Sequence, residues 1–358
     1  MIPLDNLHYD YREIDGYNKP FNFVLSAREL GKTSMFWLKK VYFQWLKDKR
    51  PIAYLVRKNV TISEALIRSI QETILNKFTD DKVSLEFSKG SFKDGIVDVY
   101  IKKELFFRIY SLNIDLQRLK LATLPRIKAV FMDEYIIDTR TNEKYLSSEY
   151  FKIKELYSTL RREAEGVLKV YVVGNPYSLY NPLFNAWQID TAKLYNEYTK
   201  TGNAFYVGDE YVIHWKALSN ELREKLLELN PLYKFDEDYL NYALKGQVLN
   251  DKNIKIGNLP PNFYIKFLIK VESKFIAIYR NKLYNINDDK YYCEFIDEPS
   301  KYRQIYCLDL YELIEKAVVM SYEDKMRFQD FKDAIRRRQV LFKDIACYYL
   351  IEEVYKQL

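Results

Sequence analysis

Cysteine and histidine are scarce in this 358-residue chain: Cys293, Cys307 and Cys347, with His8 and His214, are all it has. None of these residues stands at metal-ligand spacing, which excludes a zinc site. Three isolated cysteines also fit a reducing compartment better than a disulfide framework. No apolar run approaches membrane-spanning length, and the segment Met1–Tyr11 is too polar for a signal peptide. Neither an internal repeat nor a low-complexity segment is visible. The expectation is a soluble, intracellular protein with no membrane partner.

What is plentiful says less. The 33 Tyr and 21 Phe are explained by AT-rich codon usage as readily as by stacking, so no binding site is read from them. The excess of 56 Lys+Arg over 50 Asp+Glu gives a net charge of +6, mildly basic and compatible with a polyanionic partner. Two domains are the default at this length.

The order of elements is more informative. The apolar run Phe21–Leu25 predicts a strand, and Met35, Leu38, Tyr42, Trp45 and Leu46 mark one face of a helix from Thr33 to Lys49. Pro51 ends that helix, Ile52–Val56 reads as a second strand, and Thr61-x-x-Glu64 as a capping box opening a helix to about Phe78. Residues 83 to 110 read as an insertion of short strands with turns at Lys89-Gly90 and Asp94-Gly95. The sheet resumes at Ala129–Met132, followed by a helix from Ser148 to Glu165 and a strand from Leu168 to Val173. This alternation predicts an N-terminal α/β domain with a mainly parallel sheet over residues 1–200.

A small linker domain, 201–256, is expected around a helix from Ser219 to Leu229. A C-terminal α+β domain, 257–358, then follows the break at Gly257–Pro261. Its expected elements are strands at Phe263–Ile269, Phe275–Tyr279 and Leu283–Ile286, a helix from Tyr311 to Met320, and a helix from Phe331 to Lys356 broken near Val340.

Between the first strand and helix lies Ser26-Ala27-Arg28-Glu29-Leu30-Gly31-Lys32-Thr33, which reads as a phosphate-binding loop. Successive backbone N–H groups in such a loop wrap a phosphate, and the helix N-terminus adds its dipole. Lys32 would reach the β and γ oxygens of ATP, and the Thr33 hydroxyl would ligate Mg2+. Ser26 stands where the first glycine usually does, a poor choice if that position needs positive φ. The strand Ala129–Met132 then delivers Asp133 as a second metal ligand and Glu134 as a general base. Asn175, at the tip of the strand before Pro176, is a candidate γ-phosphate sensor if that strand stands between the two motif strands. Arg161 or Arg162 is a candidate arginine finger for a neighbouring subunit; a solvated helix face is the alternative. Arg28 and Arg57 are further basic candidates. The combination predicts a magnesium-dependent ATPase.

The run Phe21–Thr33 resembles the nucleotide loop of viral genome-packaging ATPases, the large-terminase relatives, above all the packaging motors of small phages of the phi-twenty-nine type. Tyr54-Leu55-Val56-Arg57, Asp133-Glu134-Tyr135, Asn175 and Asn181-Pro182-Leu183-Phe184 follow in that family's order. The resemblance implies an additional-strand P-loop ATPase acting in a homomeric ring, a pentamer, at the portal vertex of the procapsid in the host cytoplasm. It also implies double-stranded DNA as the cargo and a structural RNA as a possible further component. The C-terminal domain would be RNase H-like, a vestigial nuclease. Lys266, Lys270 and Lys274 on its first strand pair, with only Glu272 nearby, Asp288-Asp289 in a turn and Asp309 isolated, fit loss of the two-metal site. The run Arg336-Arg337-Arg338 reads as a phosphate contact or a charged helix face. Two other functions stay open from the motifs alone: a helicase or replication ATPase, and a hydrolysis-dead assembly scaffold.

Overall fold

The computed structural model describes residues 7–357, apart from 115–123, 139–142, 144, 147, 165, 179–180, 231–243, 245–253, 272–273, 284–288, 298, 300–303 and 309–312. Among the described residues the strands form two sheets. The first contains β1 (Phe21–Ser26), β2 (Ile52–Val56), β3 (Glu86–Phe87), β4 (Ile96–Ile101), β5 (Glu104–Ser111), β6 (Ala129–Met132), β7 (Lys169–Gly174), β8 (Asn203–Val207) and β9 (Tyr211–Lys216). Their order is β3-β4-β5-β2-β6-β7-β1-β9-β8. The run from β5 to β9 is parallel throughout, so the C-terminal tips of β2, β6, β7 and β1 meet at one edge. In open parallel sheets that edge is where ligands bind. β7 stands between the loop strand β1 and the carboxylate strand β6, as the sensor assignment of Asn175 required.

These strands are continuous apolar runs because helices cover both faces. The helical segment from Lys32 to Asp48 includes a widened π turn over Phe36–Tyr42. Phe36 stacks on Phe131 of β6 with centroids 3.9 Å apart, and Tyr54 of β2 stacks on the same ring at 5.7 Å. Each ring so buried contributes about 1.5–3 kcal/mol, with about 0.5–1.5 more from the paired geometry. Leu46, expected on the buried face, is instead exposed.

Four expectations are revised in this part of the chain. Thr61 does not cap the helix that ends at Phe78; it closes a short 3-10 turn, Asn59–Thr61, and the Ser63 side chain accepts from Leu66 N–H. Residues 83–110 are no insertion, since β5 pairs in parallel with β2 and β4 returns antiparallel on β5. Turn chemistry obscured this: the 3-10 turn Lys89–Asp94, and the reversal at Lys102 and Lys103, two residues at positive φ, break the sequence into short pieces. Third, the boundary at 200/201 falls inside the sheet, because β9 pairs in parallel with β1 and β8 returns on β9. Fourth, the helix before β7 spans Glu149–Arg161, shorter than expected.

The chain separates into two compact units, Met1–Ser178 with Lys193–Leu249, and Leu179–Ala192 with Asn250–Leu358. The helix Asn220–Leu229, expected in a separate linker, therefore belongs to the first unit.

The second unit holds the other sheet: β10 (Phe263–Val271), β11 (Lys274–Asn281), β12 (Tyr291–Ile296), β13 (Ile305–Cys307), β14 (Ala317–Val319) and β15 (Val340–Phe342). Their order is β14-β13-β10-β11-β12-β15. β10, β11 and β12 form an antiparallel meander, β13 and β14 continue it in parallel beside β10, and β15 lies parallel to β12.

Of the expected third strand at Leu283–Ile286, residues 284–286 lie outside the described ones; the third strand of the meander is β12. The helix expected at Tyr311–Met320 is replaced by a strand at Ala317–Val319, where two β-branched residues favour the sheet. The break near Val340 is likewise a strand, between the helices Gln329–Arg336 and Ile345–Gln357. Glu272, Asp288 and Asp309 lie outside the described residues.

Candidate nucleotide site at the strand tips

β1 ends at Ser26, whose φ is not positive, and this removes the objection to serine at that place. The bend is made by Ala27 (φ −54°, ψ 161°) and a 3-10 turn, Arg28–Leu30. The left-handed residue is Gly31, at φ 71°, and it opens the helix at Lys32. A side chain at Gly31 would meet the His8 ring at 2.6 Å, besides the cost of about 1–2 kcal/mol for a Cβ in that conformation.

His8 belongs to a segment that backs the loop. Tyr9 N–H donates to Leu30 C=O (2.9 Å), and the Tyr11 hydroxyl donates to Lys32 C=O (3.0 Å). The Tyr9 hydroxyl in turn lies 2.8 Å from Nδ1 of His214, which burial holds neutral, with its pKa lowered to about 3. Sequence reasoning gave His8 no role, because a single histidine far from the motif carries no pattern.

Lys32 Nζ, almost wholly buried, donates to Asn175 Oδ1 at 2.7 Å and to Ala27 C=O at 3.3 Å. Burial lowers its pKa to about 8 against the opposing pull of Asp133 and Glu134. The Thr33 hydroxyl donates to Asp133 Oδ2 at 2.8 Å, and Glu134 N–H donates to Asp133 Oδ1 at 2.9 Å. Burial raises the Asp133 carboxyl above its ordinary value, with Lys32 and Thr33 pulling the other way. Desolvation, and then the Asp133 charge, also raise Glu134. Lys32, Thr33, Asp133, Glu134 and Asn175 thus gather on three neighbouring strand tips, although about a hundred residues or more separate the loop from its partners in sequence.

The basic candidates divide. Arg28 donates to the Tyr177 hydroxyl at 2.9 Å, tying the loop to the segment after Asn175. Arg57 is committed elsewhere: its Nε contacts both oxygens of buried Glu149 (3.1 and 2.9 Å), and its Nη atoms reach Glu134 C=O (3.3 Å) and Tyr135 C=O (2.9 Å). It fixes the backbone where Glu134 adopts φ 52°. Arg161 and Arg162 are exposed at the end of the helix Glu149–Arg161. One turn earlier, Tyr157 packs on Phe21 at the start of β1 and donates to Leu168 C=O, just ahead of β7. Both arginines therefore sit at the sheet edge opposite this chain's own loop.

Beside the loop opens a pocket of about 340 Å³, within the usual range for small-molecule sites. Gly31, Lys32 and Thr33 form one end, with His8 beside them, while Phe78, Leu226 and Leu229 give an apolar wall. The last two come from the helix Asn220–Leu229, and nothing in the loop motif pointed to them.

No family model matches the sequence, and no curated relative does. Solved structures do match. The bacteriophage Phi-29 viral genome packaging motor assembly aligns over 98% of this chain and 99% of its own, at 19% identity and a TM-score of 0.64. The Phi-28 DNA packaging motor aligns over 98% of each chain, at 16% identity and a TM-score of 0.66. This chain shares their fold. Among the described residues no group of three His, Cys, Asp or Glu side chains is placed to hold a metal ion, and no helix is long and apolar enough to cross a membrane.

Proposed function

We propose that this chain is the ATPase of a phage DNA-packaging motor, hydrolysing ATP to drive double-stranded DNA into a procapsid. The observation that carries the ATPase part is the meeting of Lys32, Thr33, Asp133, Glu134 and Asn175 at adjacent tips of one parallel sheet. The packaging part rests on the fold shared with the two motors over nearly the whole chain, together with the order of motifs in the sequence.

In this reading the loop Ser26–Thr33 takes the phosphates and the wall of Phe78, Leu226 and Leu229 takes the nucleoside. A hydroxyl and a carboxylate 2.8 Å apart are hard oxygen donors suited to Mg2+, so Thr33 and Asp133 would hold that ion. When bound, the ion neutralises charge on the β and γ oxygens. Lys32 exchanges its contact with Asn175 for a phosphate oxygen, which adds counter-charge to that of Asp133 and Glu134. Asn175, released, faces the γ-phosphate. Glu134 accepts the proton of the attacking water, and its raised pKa brings it closer to an effective general base. Arg161 or Arg162, remote from this chain's own loop, acts in trans in a homomeric ring, here taken as five subunits.

The strand order of the second sheet, a meander extended by two parallel strands beside its first strand, supports an RNase H-like reading. The poor carboxylate set in the sequence favours a vestigial nuclease, serving DNA, portal or structural-RNA contacts instead of cleavage. A Glu134→Gln variant tests the site: it should bind ATP and DNA without turnover, and undiminished hydrolysis would remove Glu134 from the catalytic role.

A further inference from the structure

We propose that Gly174 is a positioning residue, whose missing side chain sets the gap between the Glu134 and Asn175 tips; this rests on the roles given above to those two residues. Gly174 ends β7 opposite Leu25 of β1. Its φ is not in the left-handed region, so backbone freedom is not why glycine stands there. The reason is space. A Cβ at Gly174 would lie 2.9 Å from Cε1 and 3.0 Å from Cδ1 of Tyr135, with Ile136 Cγ1 at 3.5 Å.

The ring cannot move away cheaply. Tyr135 is 2% exposed and packs against the fully buried Phe23 of β1, with centroids 5.6 Å apart. Its backbone is held as well: its N–H donates to Val173 C=O at 3.4 Å, and its C=O accepts from Arg57. Interiors packed this closely transmit a displacement and do not absorb it.

The two residues that would be pushed apart each adjoin a member of the site. Tyr135 follows Glu134, and Gly174 precedes Asn175, which holds Lys32. The aromatic ring thus occupies the space of a side chain at residue 174, and the tips of β6 and β7 close to the spacing that this permits. A Cβ would leave the phosphate loop and its glycine untouched while moving the base relative to the sensor. Displacements of this size at a reacting centre cost about tenfold to a hundredfold in rate.

The test is a double-mutant cycle between Gly174→Ala and Tyr135→Ala, with Tyr135→Leu as a milder partner. Steady-state ATP hydrolysis and the affinity for a fluorescent ATP analogue are both measured. Gly174→Ala should lower kcat by about tenfold or more and leave nucleotide affinity within about twofold. Removing the ring in the double variant should recover part of the lost kcat. Unchanged kcat in Gly174→Ala would overturn the proposal, and so would a loss that neither Tyr135 substitution relieves. If Gly174→Ala alone does not fold, a folded and active Gly174→Ala/Tyr135→Leu protein supports the wedge, and an unfolded one contradicts it. Absence of hydrolysis in the unsubstituted protein would instead sink the ATPase reading, an outcome separable from failure of the wedge.

Discussion

The two sheets treat polar groups in opposite ways. In the first unit, buried polar and charged side chains include Asn22, Ser26, Lys32, Gln71, Ser111, Glu149, Asn175 and His214. The second unit buries Asn181, Asn185 and Thr191 in its segment Leu179–Ala192, but among its described residues after 253, which form the sheet, no such side chain is buried. That sheet is closed by Leu268, Ile269, Ile276, Ile278, Tyr292, Cys293, Phe328 and Phe331. Burying a polar group costs about 1–3 kcal/mol unless it is partnered. A lysine buried under a phosphate loop and a glutamate buried under Arg57 are therefore expensive features, kept where chemistry requires them. The second sheet is a packed scaffold whose charges lie outside, as in the pairs Lys255–Asp289 and Lys290–Asp330.

Substitutions can break this contrast. Lys32→Ala should abolish measurable phosphate release, and Glu134→Gln should lower kcat by about 10²–10⁴-fold, with no fall in the denaturation midpoint in either. A large fall in midpoint would mean that these groups are structural. Phe331→Ala, in the second unit, should do the reverse. It should cost about 3–5 kcal/mol by chemical denaturation and leave the affinity for a fluorescent ATP analogue intact.

The pH dependence gives a finer test. Burial lowers Lys32 from 10.5 to about 8, so between those values the unfolded chain binds more protons than the folded one. Stability of the nucleotide-free protein should therefore rise with pH across that window. Lys32→Met should flatten the rise and stabilise the protein at pH 7 by roughly 1–3 kcal/mol. A pH profile identical to the original would contradict the assigned burial cost. The smallest effect belongs to the far edge of the same sheet, where Arg161→Ala and Arg162→Ala should leave nucleotide affinity within about twofold. If one of them acts as a finger in trans, its loss should appear only in the assembled motor, as a fall of about 10³-fold or more in turnover.

The same contrast decides what the sequence could reveal. That Lys32, Thr33, Asp133, Glu134 and Asn175 would come together at strand tips was legible because each stands beside a local signal, whether loop, carboxylate pair or Gly-Asn-Pro turn. Arg57 was legible as a basic strand tip, but its commitment to Glu149 was not, since that pairing spans 92 residues. His8, Phe78, Leu226 and Leu229 were invisible for the same reason. In the second unit the meander's first two strands showed as apolar runs. β12 and β14 did not, because Tyr-rich and three-residue strands imitate loop or helix until their neighbours bury them. The aromatic abundance, which composition alone left without meaning, turns out to build the core around Phe36, Trp37, Tyr54, Phe106, Phe107 and Phe131.

The measurement that bears most directly on the central claim is the rate of ATP hydrolysis with and without double-stranded DNA, for the unsubstituted protein and for Lys32→Ala. A DNA-stimulated rate that vanishes with Lys32→Ala is the predicted result. No hydrolysis under any condition, or a rate indifferent to Lys32, would contradict it.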